Sequence, residues 1–395
     1  MRRREFLLWA AGAHAAAGQT GGFRRLAEIP AGPIPGPGGE TGAQAGRRWR
    51  IQWMFDEVER EGRLVDFCAP APGRAVAVLR IEGEFRGQNV ALVTRNGGGA
   101  WTEAPLKDEP VSLFALDDSR LWLAGEKSLW YSAEGGLEWT KRNLPREAKK
   151  RPVFRVYFVD ERRGWAFGAG RIFHRTMDGG LTWAAVPESS EIELKDENTA
   201  WTWMVFLDAR RGLVTGFSAP RRDAGPWPDW MAPEGSRGRR LQPTTTIAGE
   251  THDGGESWKF SLTSAFGRVV RVRTNGNQGI AISHYGENFE FPGEVYLLDF
   301  RTGGSRPVFR RREIQVHDGA VLADGSVVLA AVQPPGSLRG VPIPGRLRMF
   351  HSADLEHWTE MKVDYRAEGG RAMVAAAGPD ELWAATDTGC ILRLV

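Results

Sequence analysis

Cysteine is nearly absent from this 395-residue chain, which has only Cys68 and Cys390. Two thiols make no disulfide framework and no cysteine-based metal site. Both lie in apolar strand-like runs, where a buried free thiol is the expected state. Histidine is scarce too, seven residues without metal-ligand spacing, so neither a metal nor any other cofactor is expected. Neither sign of charge dominates, since 52 Lys and Arg against 49 Asp and Glu leave +3. Residues 1–17 hold three Arg and one Glu, so their removal would leave +1. That balance argues against a nucleic-acid binder, and no basic helix suits a groove. No stretch is long and apolar enough to span a bilayer as a helix. A Gly-x-Ser-x-Gly nucleophile elbow is missing. Asn96-Gly-Gly-Gly99 precedes a Trp within a repeat and is not a phosphate loop. Tyrosine is rare, five residues against sixteen Trp.

The abundance of Trp and of glycine (49 residues) has a common source. Five places carry variants of one string: Thr94-Arg-Asn-Gly-Gly-Gly-Ala-Trp101, Ser132-Ala-Glu-Gly-Gly-Leu-Glu-Trp139, Thr176-Met-Asp-Gly-Gly-Leu-Thr-Trp183, Thr251-His-Asp-Gly-Gly-Glu-Ser-Trp258 and Ser352-Ala-Asp-Leu-Glu-His-Trp358. A motif recurring on this scale signals an array of supersecondary units. In the clearest unit, strands are expected at 153–159, 165–168, 171–175 and 182–186, joined by tight turns into an antiparallel meander. Such a sheet buries both faces only if others stack against it, and radial stacking also protects the edges.

The motif Trp residues are spaced by 38, 44, 75 and 100 positions. A blade of this kind takes about 40 to 45 residues. The third gap is therefore one blade with a long insertion, and the fourth holds two blades. The first of those two, 268–309, carries Thr302-Gly-Gly-Ser305 in place of the motif. Strands at 372–376, 382–386 and 390–394 lack a fourth member, while Trp49–Phe55 is a lone strand near the start. Pairing the two closes a ring. The expected fold is all-β: a seven-bladed β-propeller of four-stranded antiparallel blades over residues 47–395, closed by the N-terminal strand.

Ahead of the ring, Arg2 to Arg4, the apolar Phe6–Trp9 and the small-residue run Ala10–Gly18 read as a signal peptide over residues 1–17. Arg3-Arg4-x-Phe6-Leu7 has the form of a twin-arginine signal. Residues 18–46 are rich in Gly and Pro and read as a flexible linker. The protein is thus expected to be exported by a bacterial cell, to the periplasm or beyond, without an integral membrane span. No Cys follows the apolar run, so no lipid attachment is expected there.

The repeat resembles the Asp-box, or bacterial neuraminidase repeat, of sialidases and sortilin-type receptors. Its phrasing across Arg163–Trp183 is most similar to the photosystem II assembly and stability factor family. That resemblance implies a seven-bladed propeller and a role in assembling or stabilising a complex. It implies little about chemistry, because propellers host unrelated activities.

Within the repeat, Asn96, Glu134, Asp178, Asp253 and Asp354 are expected to accept amides in their own turns. The glycines supply positive φ. Trp101, Trp139, Trp183, Trp258 and Trp358 are expected to pack between sheets. Glu134 should make the loosest turn. These turns mark one side of the disc. Insertions at 218–243, 283–293 and 333–345 fall between second and third strands and belong to the opposite side, where recognition loops gather. Arg222, Trp227, Trp230, Arg239, Arg240, Arg311 and Arg312 there are candidates for contacting a protein, a glycan or another anionic partner. The other reading is a set of solvated loops, neutralised by the acidic run 188–197. Both remain open, and the particle is expected to be monomeric.

The sialidase link raises a glycoside hydrolase as the alternative. A sialidase uses a Tyr nucleophile, a Glu and three Arg. Tyr285 beside Glu287 is the candidate pair, but no Phe/Tyr-Arg-Ile-Pro run is present, and seven blades depart from the six of sialidases. A binding protein without catalysis is the reading carried forward.

Overall fold

The computed structural model describes residues 47–57, 59–83, 87–219, 244–276, 278–285, 289–334, 344–378 and 380–395. The signal and linker expectations lie outside them. After a lone β1 (Arg48–Met54), strands come in sets of four. The first set is β2 (Arg60–Ala71), β3 (Arg74–Gly83), β4 (Gln88–Thr94) and β5 (Thr102–Pro105). The second is β6 (Pro110–Ala115), β7 (Leu121–Gly125), β8 (Leu129–Ser132) and β9 (Thr140–Arg142). The third is β10 (Val153–Phe158), β11 (Gly164–Gly168), β12 (Phe173–Thr176) and β13 (Ala184–Ala185). The fourth is β14 (Thr199–Phe206), β15 (Gly212–Ser218), β16 (Thr244–Thr251) and β17 (Lys259–Ala265). The fifth is β18 (Arg268–Asn275), β19 (Gln278–His284), β20 (Gly293–Asp299) and β21 (Gly304–Phe309). The sixth is β22 (Gln315–Val321), β23 (Val327–Gln333), β24 (Gly345–Ser352) and β25 (Thr359–Val363), followed by the short β26 (Glu368–Gly369). Last come β27 (Ala372–Ala376), β28 (Leu382–Thr386) and β29 (Cys390–Leu394).

Burial explains the strand sequences. Second strands such as Leu121–Gly125, Gly164–Gly168 and Leu382–Thr386 are buried at every position. Sheets cover both of their faces, so they read as continuous apolar runs and not as alternating ones. The fourth strand Lys259–Ala265 is mostly exposed and polar. Two second strands, β11 and β15, open on glycine for a steric reason. At Gly164 and Gly212 an added Cβ would strike the rings of Phe158 and Phe206, which close the preceding strand.

The first five sets are separate four-stranded antiparallel sheets. The first strands β2, β6, β10, β14, β18, β22 and β27 each touch the next, and β27 touches β2. Hydrophobic clusters fill the spaces between sheets, for example Trp165, Phe173 and Trp201 with Trp258. β1 runs antiparallel to β29, with Trp49 opposite Leu394 and Met54 opposite Cys390. One feature is additional to the expectation from sequence: β1 also pairs parallel with β25. This welds the last two sets into one nine-stranded sheet. Trp49, 1% exposed, sits at the weld and donates its indole N–H to Met361 Sδ at 3.4 Å.

The repeat turns at Asp178, Asp253 and Asp354 share one geometry, whereas among the described residues the Glu134 carboxylate accepts no amide of its own turn. The Asp178 carboxylate accepts the amides of Leu181 and Thr182 and the hydroxyls of Thr176 and Thr182. Asp253 repeats the pattern with Glu256, Ser257 and Thr251. The paired glycines have positive φ, and in the fifth copy Leu355 takes that conformation at φ 61°. Among the motif tryptophans Trp258 and Trp358 are buried, whereas Trp101, Trp139 and Trp183 remain partly exposed.

Candidate functional site

The first strands carry a repeated irregularity. A register shift follows Leu64, Pro110, Val153, Trp201, Val269 and Val316. Each shift is a bulge, which bends the strand and re-aims the next side chain. The residues after the bulges are Asp66, Ser112, Arg155, Trp203, Arg271 and Asp318, and they share one level of the ring. That level lies near the middle of the first strands. Strands β15 and β19 end beside the beginnings of their first strands, because Ser218 pairs with Thr199 and His284 with Arg268.

Charge concentrates at this level. Asp66 is 5% exposed and Asp318 1%. Asp66 receives Arg155 Nη1 at 3.2 Å. Asp318 is gripped by Arg273 through Nε at 3.0 Å and Nη2 at 2.9 Å, the two-pronged geometry that suits Arg. Arg271 approaches Asp318 at 3.4 Å and is itself 5% exposed. Arg371 donates to the Val65 carbonyl. Three of these guanidiniums lie over the Trp203 ring, at 4.2 Å for Arg155, 4.1 Å for Arg271 and 5.0 Å for Arg273. Four arginines thus face two carboxylates.

Titration follows from this crowding. Burial alone would raise Asp66, but Arg155, Arg271 and the Leu113 amide carry it below its usual value. Asp318 is lowered in the same way, burial being outweighed by Arg271 and Arg273. Burial drives Arg271 down to about 9, with Arg155 and Arg273 adding to the effect against Asp318. His317 occupies the bulge between Val316 and Asp318, with the His284 ring centroid 5.3 Å away. Burial, then His284, Arg371 and Arg271, push His317 down to about 3.

Sequence reasoning passed over these residues. Their signal is a charge inside an apolar first strand, as in Val153-Phe-Arg-Val-Tyr-Phe158 or Val316-His-Asp-Gly-Ala-Val321. Of the residues singled out instead, Arg222, Trp227, Trp230, Arg239, Arg240 and Glu287 lie outside the described residues. Arg311 is half-buried, its guanidinium 4.6 Å from the Phe350 ring centroid. Arg312 is exposed and paired with Glu290. Tyr285 donates to Glu294 at 2.8 Å and lies 2.9 Å from the Tyr296 hydroxyl. The arginine on Glu294 is Arg310, at 3.3 Å. Tyr285 and a carboxylate therefore do meet, with Arg310 as the arginine on that carboxylate. Among the described residues no group of His, Cys, Asp and Glu could hold a metal ion. No helix there is long and apolar enough to cross a membrane. Neither thiol is in a disulfide, and burial raises both, Cys390 to about 12.

No family model matches the chain. It is 26% identical over 205 residues to the photosystem II assembly lipoprotein Ycf48 of Synechococcus sp. (strain CC9902), covering 44% of this chain and 59% of that protein. The same-named protein of Parasynechococcus marenigrum (strain WH8102) is 24% identical over 275 residues, covering 64% of this chain and 74% of that one. Among solved structures, YCF48 bound to D1 peptide superposes with a TM-score of 0.52 at 14% identity, covering 87% of this chain and 98% of that one. The chain is therefore an all-β propeller similar to photosystem II assembly factors.

Proposed function

We propose that this chain is an exported, non-catalytic, seven-bladed propeller that binds an anionic protein segment and so assists assembly of an envelope complex. The docking end is the one where the first strands begin. The observation that carries this reading is the surplus of Arg155, Arg271, Arg273 and Arg371 over Asp66 and Asp318 at the ring centre. Arg155 and Arg273 keep side-chain exposures of 20% and 33%, so their outer edges reach solvent. A carboxylate-bearing segment suits such a surface, since guanidinium groups bind carboxylates in pairs. The named relatives serve photosystem II assembly, and a structural neighbour holds a peptide. Both support a peptide-like ligand here.

The test is capture from envelope extract, read by mass spectrometry, with the wild type and an Arg273→Gln/Arg371→Gln double variant of verified fold. Loss of a specific partner in the variant is expected. Equal capture by both sinks the reading. The hydrogen bond from Tyr285 to Glu294 keeps a sialidase-like hydrolase as the second reading. Release of an aryl leaving group from an aryl sialoside, abolished by Tyr285→Phe, would establish it, and no turnover by the wild type would end it.

A further inference from the structure

The centre of the ring has more buried donors than acceptors. The Asp318 oxygens already accept Arg273 twice, the Gly319 amide at 2.9 Å and the Val374 amide at 3.3 Å. Asp66 accepts Phe67 N–H, Leu113 N–H and Arg155. Asp318 thus holds four bonds and Asp66 three of the roughly four that a carboxylate accepts. Arg271 is left over. Its Nε is 3.4 Å from Asp318, yet it is buried and makes no hydrogen bond among the described residues. Two more buried groups on the same level have no partner: Ser112 Oγ, in a residue 1% exposed, and Trp203 Nε1, in a residue 8% exposed.

A buried guanidinium Nε that is ion-paired but makes no hydrogen bond is a donor that calls for an acceptor. The chemistry of the orphans defines it. Arg271 and Trp203 can only donate, and Ser112 can donate. A water molecule would bring two further protons to a place where Asp318 is full and Asp66 has little capacity left. An anion brings acceptor capacity alone, and it neutralises part of the arginine surplus. Asp66 and Asp318 flank the position, so a dianion would meet two like charges at low dielectric. Enclosure around Arg271 favours a compact ion.

We infer that the ring centre binds a small monovalent inorganic anion of halide size, held by Arg271 with Trp203 and Ser112 on the same level. The site adjoins the arginines of the proposed docking surface and deepens that reading, yet its anion is separate from the partner. The ion offsets charge that would otherwise repel across the ring.

The probe is bromide. Protein dialysed into gluconate is titrated with sodium bromide at fixed ionic strength, following the melting temperature, and crystals grown in bromide are examined for anomalous scattering. A saturable rise and a bromide peak beside Arg271 are expected. Trp203→Phe keeps the ring under the arginines but removes the donor, and should weaken bromide binding about tenfold. Arg271→Met should abolish the response while Arg273 still holds Asp318. An identical rise in Arg271→Met, no bromide-specific rise in the wild type, or a rise with sulfate only overturns the inference. Equal capture by the wild type and the Arg273→Gln/Arg371→Gln variant, with the bromide response intact, would count against docking alone. Capture kept without any response would count against the anion alone.

Discussion

Asp66 and Asp318 are structural equivalents on two first strands, β2 and β22, that are separated around the ring by β27 alone. Each follows a bulge in a first strand. Each turns one oxygen to the amide of the next residue, Phe67 or Gly319, and the other to an amide of the following first strand, Leu113 or Val374. Each then binds an arginine from elsewhere in the ring. A buried carboxylate here staples neighbouring sheets through the backbone, a bond type that is strong because the acceptor is charged.

Removing either staple should therefore cost more than a surface ion pair. Asp318→Ala strands Arg271, Arg273 and the Val374 amide, and is expected to lose about 3–5 kcal/mol, the usual cost of breaking a buried pair. Asp66→Ala should be similar or somewhat milder, because one arginine depends on it directly. Urea unfolding midpoints at constant m-value check both. A loss below about 1 kcal/mol would place these bonds in the range of exposed pairs.

The tryptophans divide by burial and not by motif membership. Trp165 is 1% exposed, stacks near Phe206 and meets Trp258 edge-on, although it is not a motif Trp. Trp165→Ala should cost about 3–5 kcal/mol. Trp183, the motif residue, is partly exposed and donates to the Asn143 carbonyl at 2.7 Å. Its replacement by Ala should cost clearly less. Equal losses in calorimetry would show that the motif position, not burial, governs stability.

Between pH 5 and 7 stability should fall with acidification. His174, His284, His317 and His351 are all held below the usual histidine range by burial. Below about pH 6.5 the unfolded chain takes up protons that the folded chain refuses, so unfolding is favoured as pH drops. For His317, lowered to about 3, the stability is complete above the unfolded value and is lost progressively down to that point. Exposed His357 opposes this, since Asp354 raises it. The repeat-turn carboxylates do not contribute in this window, because Asp178 sits at about 2 and Asp253 lower. His317→Gln should flatten the profile of melting temperature against pH. An unaltered slope would exclude the His284–His317 pair as its origin.

Deleting residues through Met54 should destabilise the whole protein and not merely shorten it. β1 fills the gap between β25 and β29, and Trp49 lies in the cluster with Met349, Val374 and Leu392. Its loss opens two strand edges, which invite pairing with other chains. A lower melting temperature with concentration-dependent association in light scattering is expected. A monomer of unchanged stability would mean that β25 and β29 close without it.

The repeating hydroxyl–x–Asp–Gly–Gly–Trp string was enough to place the meanders, because turn chemistry is local and glycine at positive φ is written in the sequence. Strands such as Ala372–Ala376 and Cys390–Leu394 were readable from their apolar runs alone. The parallel contact of β1 with β25 was not, since nothing in Arg48–Met54 distinguishes one sheet edge from another. The arginine-rich loops drew attention because charge is conspicuous where it is dense. The buried arginines did not, because Arg155, Arg271 and Arg273 are single charges scattered through apolar strands.

The residues alone determined that this chain forms stacked antiparallel sheets, since alternation, turn glycines and intersheet tryptophans act over a few neighbours. Tertiary structure decided where charge collects. Bulges in strands far apart in sequence turn Asp66, Arg155, Arg271 and Asp318 toward one centre. Electrostatic meaning depends on distance through space, which closing the ring creates and the order of residues does not record.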